Sequence, residues 1–124
     1  MFTLNGQLVK LPCNVVSLGL DMQCHHCVTT STILSVDAAE DKAIIKSEGI
    51  KIRLQIKDLE GFYVNTKENR EKLQERCDKE YNDWIATLNK EVDEIERTYG
   101  VKQHKFKGLA EGEHYMGDYR TRYD

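Results

Sequence analysis

Apolar and polar positions change their period once along this chain, at about residue 65. Before that point they come in short runs with the two-residue alternation of strands. Phe2-Thr3-Leu4 and Leu8-Val9-Lys10-Leu11 flank Asn5-Gly6, a pair suited to a type I′ turn because both of its central residues need positive φ. Asn14 to Gln23 and Val28 to Val36 are rich in Val, Leu, Ile and Thr, and only Cys24 to Cys27 separates them. Asp37 to Asp41 is a polar turn, and Lys42 to Ser47 and Ile50 to Lys57 make a further hairpin around Glu48-Gly49. In the last of these strands Ile50, Ile52, Leu54 and Ile56 alternate with Lys51, Arg53, Gln55 and Lys57, which predicts one buried face and one basic, wet face. Gly61 to Val64 can add a short strand.

From residue 65 the period is helical. Asn65 or Thr66 can cap, and apolar side chains recur at Leu73, Cys77, Tyr81, Trp84, Leu88, Val92, Ile95 and Tyr99, with Ile85 widening the stripe. The steps of 4, 4, 3, 4, 4, 3 and 4 form an eleven-residue repeat, which favours a straight or slightly right-handed partner. Gly100 follows as the expected C′ residue. At ~1.5 Å per residue the helix reaches roughly 50 Å, longer than a small sheet covers. The seam Leu73, Tyr81, Trp84, Ile85, Leu88, Val92, Ile95 and Tyr99 is therefore expected to pair, coiled-coil fashion, with a second copy or another protein. The alternative is a helix lying on its own sheet. The class expected is α+β: a small antiparallel sheet, sandwich or open barrel over residues 1–64, a long helix over 65–100, and a loop-rich tail over 101–124. Tyr115, Met116, Tyr119, Arg120, Arg122 and Tyr123 give that tail an interface composition, although a frayed terminus is equally compatible.

Composition narrows the classes. The 124 residues are 31% charged and 40% hydrophobic with a net charge of -3, which fits a globular chain and disfavours a general phosphate-binding surface. The chain opens without an export signal and has no membrane-length apolar run. A cytoplasmic location is expected, or a virion if the chain is phage-encoded, so the cysteines read as metal ligands or buried thiols rather than disulfides.

Cys24-His25-His26-Cys27 between two strands has the shape of a zinc knuckle, whose turn directs two thiolates at one ion. Cys13 and His26 are the candidates to complete a structural zinc site; His25, His104 and His114 are further options. A buried thiol pair and a redox C-x-x-C are the alternatives, the latter disfavoured because that motif normally opens a helix. Cys77, on the seam, reads as a small buried hydrophobe. Nucleophile triads, phosphate-binding loops and dinucleotide fingerprints are absent from the sequence, so an enzyme is not expected.

The segment from Val15 to about Lys57, with Cys24-His25-His26-Cys27, the following Val28 to Val36 run and the alternating Ile50 to Ile56 strand, resembles the zinc-hairpin part of baseplate hub and tail-assembly proteins of contractile-tailed phages. That resemblance implies a structural protein acting through oligomeric contacts, without a substrate. The leading expectation is thus a non-enzymatic assembly or protein-interaction protein, with zinc as its candidate structural staple. A small dimeric phage-type protein sequestering an anionic nucleotide is the alternative, with Arg53, Arg120 and Arg122 on phosphate and Phe62, Tyr115 or Tyr119 stacking a base. A zinc-dependent nucleic-acid module is a third, in which Lys51, Arg53 and Lys57 touch phosphates; the acidic half-helix disfavours it.

Overall fold

The structure is a computed structural model that describes residues 1–118. Its elements are β1 (Phe2–Leu4), β2 (Gln7–Val9), β3 (Cys13–Leu20), β4 (His26–Asp37), β5 (Lys42–Ser47), β6 (Ile50–Leu54), a 3-10 turn (Ile56–Gly61), β7 (Tyr63–Val64) and one helix, α1 (Lys67–Tyr99). The class is α+β. β1 and β2 form a two-stranded sheet, and the other strands an open antiparallel sheet in the order β6-β5-β4-β3-β7 rather than a closed barrel. Chain contacts divide it into two compact units, residues 1–19 with 28–73, and residues 20–27 with 74 onward. The boundary falls inside α1 rather than at residue 65, and the tip of the β3–β4 hairpin belongs with the second unit.

In the first unit, the turn residues do what their chemistry permits. Asn5 and Gly6 take φ of 47° and 81° in the β1–β2 turn, and Glu48 and Gly49 take 51° and 79° between β5 and β6, the twist that matches flanking antiparallel strands. The core joins Leu4, Val9, Val15, Ile33, Ala43, Ile45 and Leu59, with Phe62 and Val64 packed against it. The Ser17 and Thr29 hydroxyls pair at 3.1 Å.

The alternating strand departs from expectation. β6 is an edge strand, and Ile50 and Ile52 are 65% and 45% exposed. Alternation fixes the side to which a residue points, not what lies over it. Ile52 sits opposite Ile45, but the buried cluster that includes Ile33 and Ile45 ends before Ile52. Lys51 stands directly across from Lys46, a like-charged edge that discourages strand-to-strand association.

α1 begins and ends where the periodicity places it. The Thr66 hydroxyl accepts the Asn69 N–H at 3.1 Å, so Thr66 is the cap, while Asn65 accepts from the Arg70 guanidinium at 2.6 Å. Gly100, at φ 70°, donates its N–H to the Glu96 carbonyl at 2.8 Å. Among the described residues no helix is long and apolar enough to cross a membrane.

Truncating the fully buried Ile33 to Ala should cost about 3 kcal/mol, whereas Ile52→Ala should cost under about 1 kcal/mol. Urea denaturation of the two variants checks this, and equal losses would place β6 in the core.

Candidate functional site

The second unit is built from one stripe of α1. Each of Gln74, Asp78, Asn82, Asn89 and Glu96 follows a seam residue (Leu73, Cys77, Tyr81, Leu88, Ile95) by one position, so the five lie beside the seam along the helix. Their side chains hold the segment after α1, which runs back antiparallel to it as an extended strap. Glu96 accepts the Gln103 N–H at 2.8 Å. Asn89 takes both backbone groups of Phe106, accepting its N–H at 2.7 Å and donating to its carbonyl at 2.9 Å. Asn82 accepts the Leu109 N–H at 2.9 Å. Asp78 accepts the Tyr115 N–H at 2.7 Å, and Gln74 donates to the Tyr115 carbonyl at 2.8 Å.

This contact is close enough to dictate composition. A Cβ at Gly108 would lie 2.8 Å from Asn82 Oδ1, so a larger residue there would displace the amide oxygen that accepts the Leu109 N–H. Lys105 adds an ion pair with Asp93 at 3.0 Å, and a turn at Glu111-Gly112 is closed by Ala110 and Glu113. The strap is thereby satisfied by side chains, as a strand would be by its neighbours.

The far end of the strap closes on the β3–β4 hairpin tip through Asp21. One carboxylate oxygen of Asp21 accepts the N–H groups of Gln23 and His25, each at 2.9 Å. The other accepts the Asp118 N–H at 2.8 Å and the Tyr115 hydroxyl. Met22 donates to the Asp118 carbonyl at 3.0 Å, and Gln23 to the Asp118 carboxylate at 2.8 Å. Burial alone would raise the Asp21 pKa, but the hydrogen bonds from Tyr115 and then from the His25, Asp118 and Gln23 amides outweigh it and bring the group below its ordinary 3.8. Tyr115 is displaced upward by burial and by the same carboxylate.

Beside this clasp the buried His25 ring is enclosed by aromatic rings, with centroids 4.4 Å from Trp84, 5.6 Å from Tyr115 and 5.7 Å from Tyr81. Tyr81 and Tyr115 stack at 4.5 Å. Edge-on packing of this kind is worth about 0.5–1.5 kcal/mol per pair beyond burial. Two imidazole–carboxylate pairs flank it: His26 Nδ1 lies 2.8 Å from Glu80, and His114 Nδ1 lies 2.7 Å from Asp78. The His26 hydrogen bond holds Glu80 below its ordinary range. For Asp78, burial works upward, but His114, the Tyr115 amide and Gln74 together prevail and lower it.

The residues named as zinc ligands have different surroundings. Cys24 is exposed at φ 61°, Cys27 is buried, His26 is engaged by Glu80, and Cys13 belongs to the first unit. Among the described residues no group of three or more His, Cys, Asp or Glu side chains is arranged to hold a metal ion. Asp21 organises the turn that carries Cys24, accepting the Gln23 and His25 N–H groups. Cys77 is buried, and that burial, with Cys27, Glu80 and Asp78 nearby, pushes its thiol up to about 11.

The seam divides. Leu73, Ile85 and Val92 are buried, Tyr81 and Leu88 partly so, and Trp84, Ile95 and Tyr99 are exposed. Part of the cover expected from a partner is thus supplied by the chain itself, since the strap docks beside Ile85. Of the residues named for an anionic nucleotide, Arg53 is exposed on β6 and Phe62 packs on the core of the first unit, while Tyr115 is stacked and clasped in the second. Tyr119, Arg120 and Arg122 lie outside the described residues. The ladder and Asp21 were not singled out from the sequence. The signal was there: two Asn residues inside a helix, seven apart and each one position past the seam, where Asn is a poor helix former without a second use.

No protein-family model, no curated protein and no solved structure matches the chain.

Because the Asp21 pKa is lowered in the fold, its stabilisation is present above the ordinary 3.8 and is lost as the pH falls through the lower folded value. Asp21→Asn keeps one acceptor and turns the other into a donor facing donors. It should lower stability at pH 7 by about 2–3 kcal/mol, and the deficit should shrink in acid as the native carboxylate protonates. Denaturation at the two pH values reads both; an unchanged pH 7 midpoint would remove Asp21 from the clasp.

Proposed function

We propose that the chain is a non-enzymatic assembly protein that associates with a second copy through the end of α1 and the start of the strap. One observation carries this reading. The large apolar residues at that end are open to solvent, Ile95 at 44%, Tyr99 at 74%, Val101 at 53% and Phe106 at 52%. Large apolar side chains left exposed along one segment are candidates for an interaction site, and a helix backed by a single extended segment gains from further cover.

The polar groups of the second unit support a non-enzymatic reading. Asp21, Asp78 and Glu80 spend their lone pairs on amides, a hydroxyl and imidazoles. Cys77 is buried, and that burial pushes its thiol up to about 11, away from the thiolate that a nucleophile needs. Nucleotide capture finds less support, because Tyr115 already spends one ring face on Tyr81 and its hydroxyl on Asp21. A place in a phage tail baseplate, as the Cys24–Cys27 resemblance implies, is the narrower form of the same proposal.

Light scattering across a concentration series should give a dimer or larger species. Ile95→Asp together with Tyr99→Asp should shift it to monomer with an unchanged circular dichroism spectrum. A wild-type chain that stays monomeric throughout would refute the proposal.

A further inference from the structure

The ladder along the strap is made through the strap's own backbone, with side-chain contacts of Lys105, His114 and Tyr115 beside it. Gln103, Phe106, Leu109 and Tyr115 offer main-chain groups to Glu96, Asn89, Asn82, Asp78 and Gln74. Such a ladder does not distinguish its own chain's strap from that of another copy. Only Gly100, Val101 and Lys102 separate the last residue of α1 from Gln103, the first gripped amide. The reversal depends on Gly100 at φ 70°, a conformation that glycine leaves at little cost. If that residue takes an extended or helical conformation, the strap swings away from its own helix as a unit.

We propose that the strap is exchanged between two copies, so that residues 103–118 of one chain lie along α1 of the other. The inference rests on the reading of this end as an assembly surface and names how the surface is used. Every hydrogen bond of the closed chain is reproduced in the exchanged pair, so the swap forfeits none of them. Charge fits the same occupant. Lys102, Lys105 and Lys107 make the start of the strap basic, and Asp93 and Glu96 of α1 lie beside Lys105. The Lys105–Asp93 pair at 3.0 Å is one product of that match. The hinge then accounts for where the apolar exposure falls. Tyr99 and Val101 adjoin Gly100 in sequence and Ile95 lies one turn before Tyr99, near where two crossing chains meet, and their burial between copies is the gain that offsets the entropy of association.

The test uses the full-length chain. Isotope-labelled and unlabelled protein are unfolded together in equal amounts, refolded, and read by isotope-filtered NOE spectroscopy. The stacked Tyr81 and Tyr115 rings, 4.5 Å apart, are the reporters. Exchange predicts Tyr81–Tyr115 NOEs between labelled and unlabelled chains. A dimer whose Tyr81–Tyr115 NOEs are purely intramolecular overturns exchange and leaves association through the end of α1 standing. A monomer overturns both. Deleting Val101 and Lys102 provides a second reading, because a strap too short to fold back can reach only a partner's helix. That variant should be wholly dimeric with the intermolecular NOE retained, and a monomeric variant that has lost the NOE would contradict the proposal.

Discussion

Backbone groups of an extended segment cannot be left without partners where they are packed against a helix. In this protein the partners are amide and carboxylate side chains of α1. Asn89 shows the principle in one residue: it accepts from and donates to the two main-chain groups of Phe106. Asn82, Asp78, Gln74 and Glu96 repeat parts of that pairing along the helix. The position of Tyr115 follows from this ladder, and Tyr115 in turn meets Asp21 and the rings of Tyr81 and His25. The hairpin tip, the aromatic group and the strap therefore share one support.

Two carboxylates deserve comparison because their settings are alike and their tasks differ. Asp21 organises a turn and the end of the strap, accepting from the backbone N–H groups of Gln23, His25 and Asp118 and from the Tyr115 hydroxyl. Asp78 ties the strap to the helix and also takes an imidazole N–H from His114. In both, burial opposes ionisation and directed hydrogen bonds override it. Charge-assisted bonds of this sort are roughly twice as strong as neutral ones, which is how a segment without regular secondary structure holds one course.

Much of the fold was legible in the sequence because local chemistry decides it. The Asn5-Gly6 and Glu48-Gly49 turns, the helical period and the Gly100 stop each follow from a backbone preference or a repeat. Thr66 as cap was one of two readings, and the competing Asn65 turns toward Arg70. The exposure of Ile50 and Ile52 was not legible, since a period of two does not reveal that a strand lies at the edge. The strap was hidden for a different reason. Its residues have no period of their own, and the information that orders them is written in the helix, on the stripe beside the apolar one. Cys24 and Cys27 show a spacing that two structures share: it suits a metal knuckle and it suits a tight turn, and Asp21, three residues before Cys24, accepts the Gln23 and His25 N–H groups within that turn.

Amide hydrogen exchange tests the ladder most directly. In the intact chain the Phe106, Leu109 and Tyr115 amides should exchange slowly although they lie in no strand or helix. Asn89→Ala should release Phe106 while the amides of β3, β4 and β5 keep their protection. Rapid exchange at Phe106 and Tyr115 in the unaltered protein would contradict the account, because the strap would then have no hold on α1.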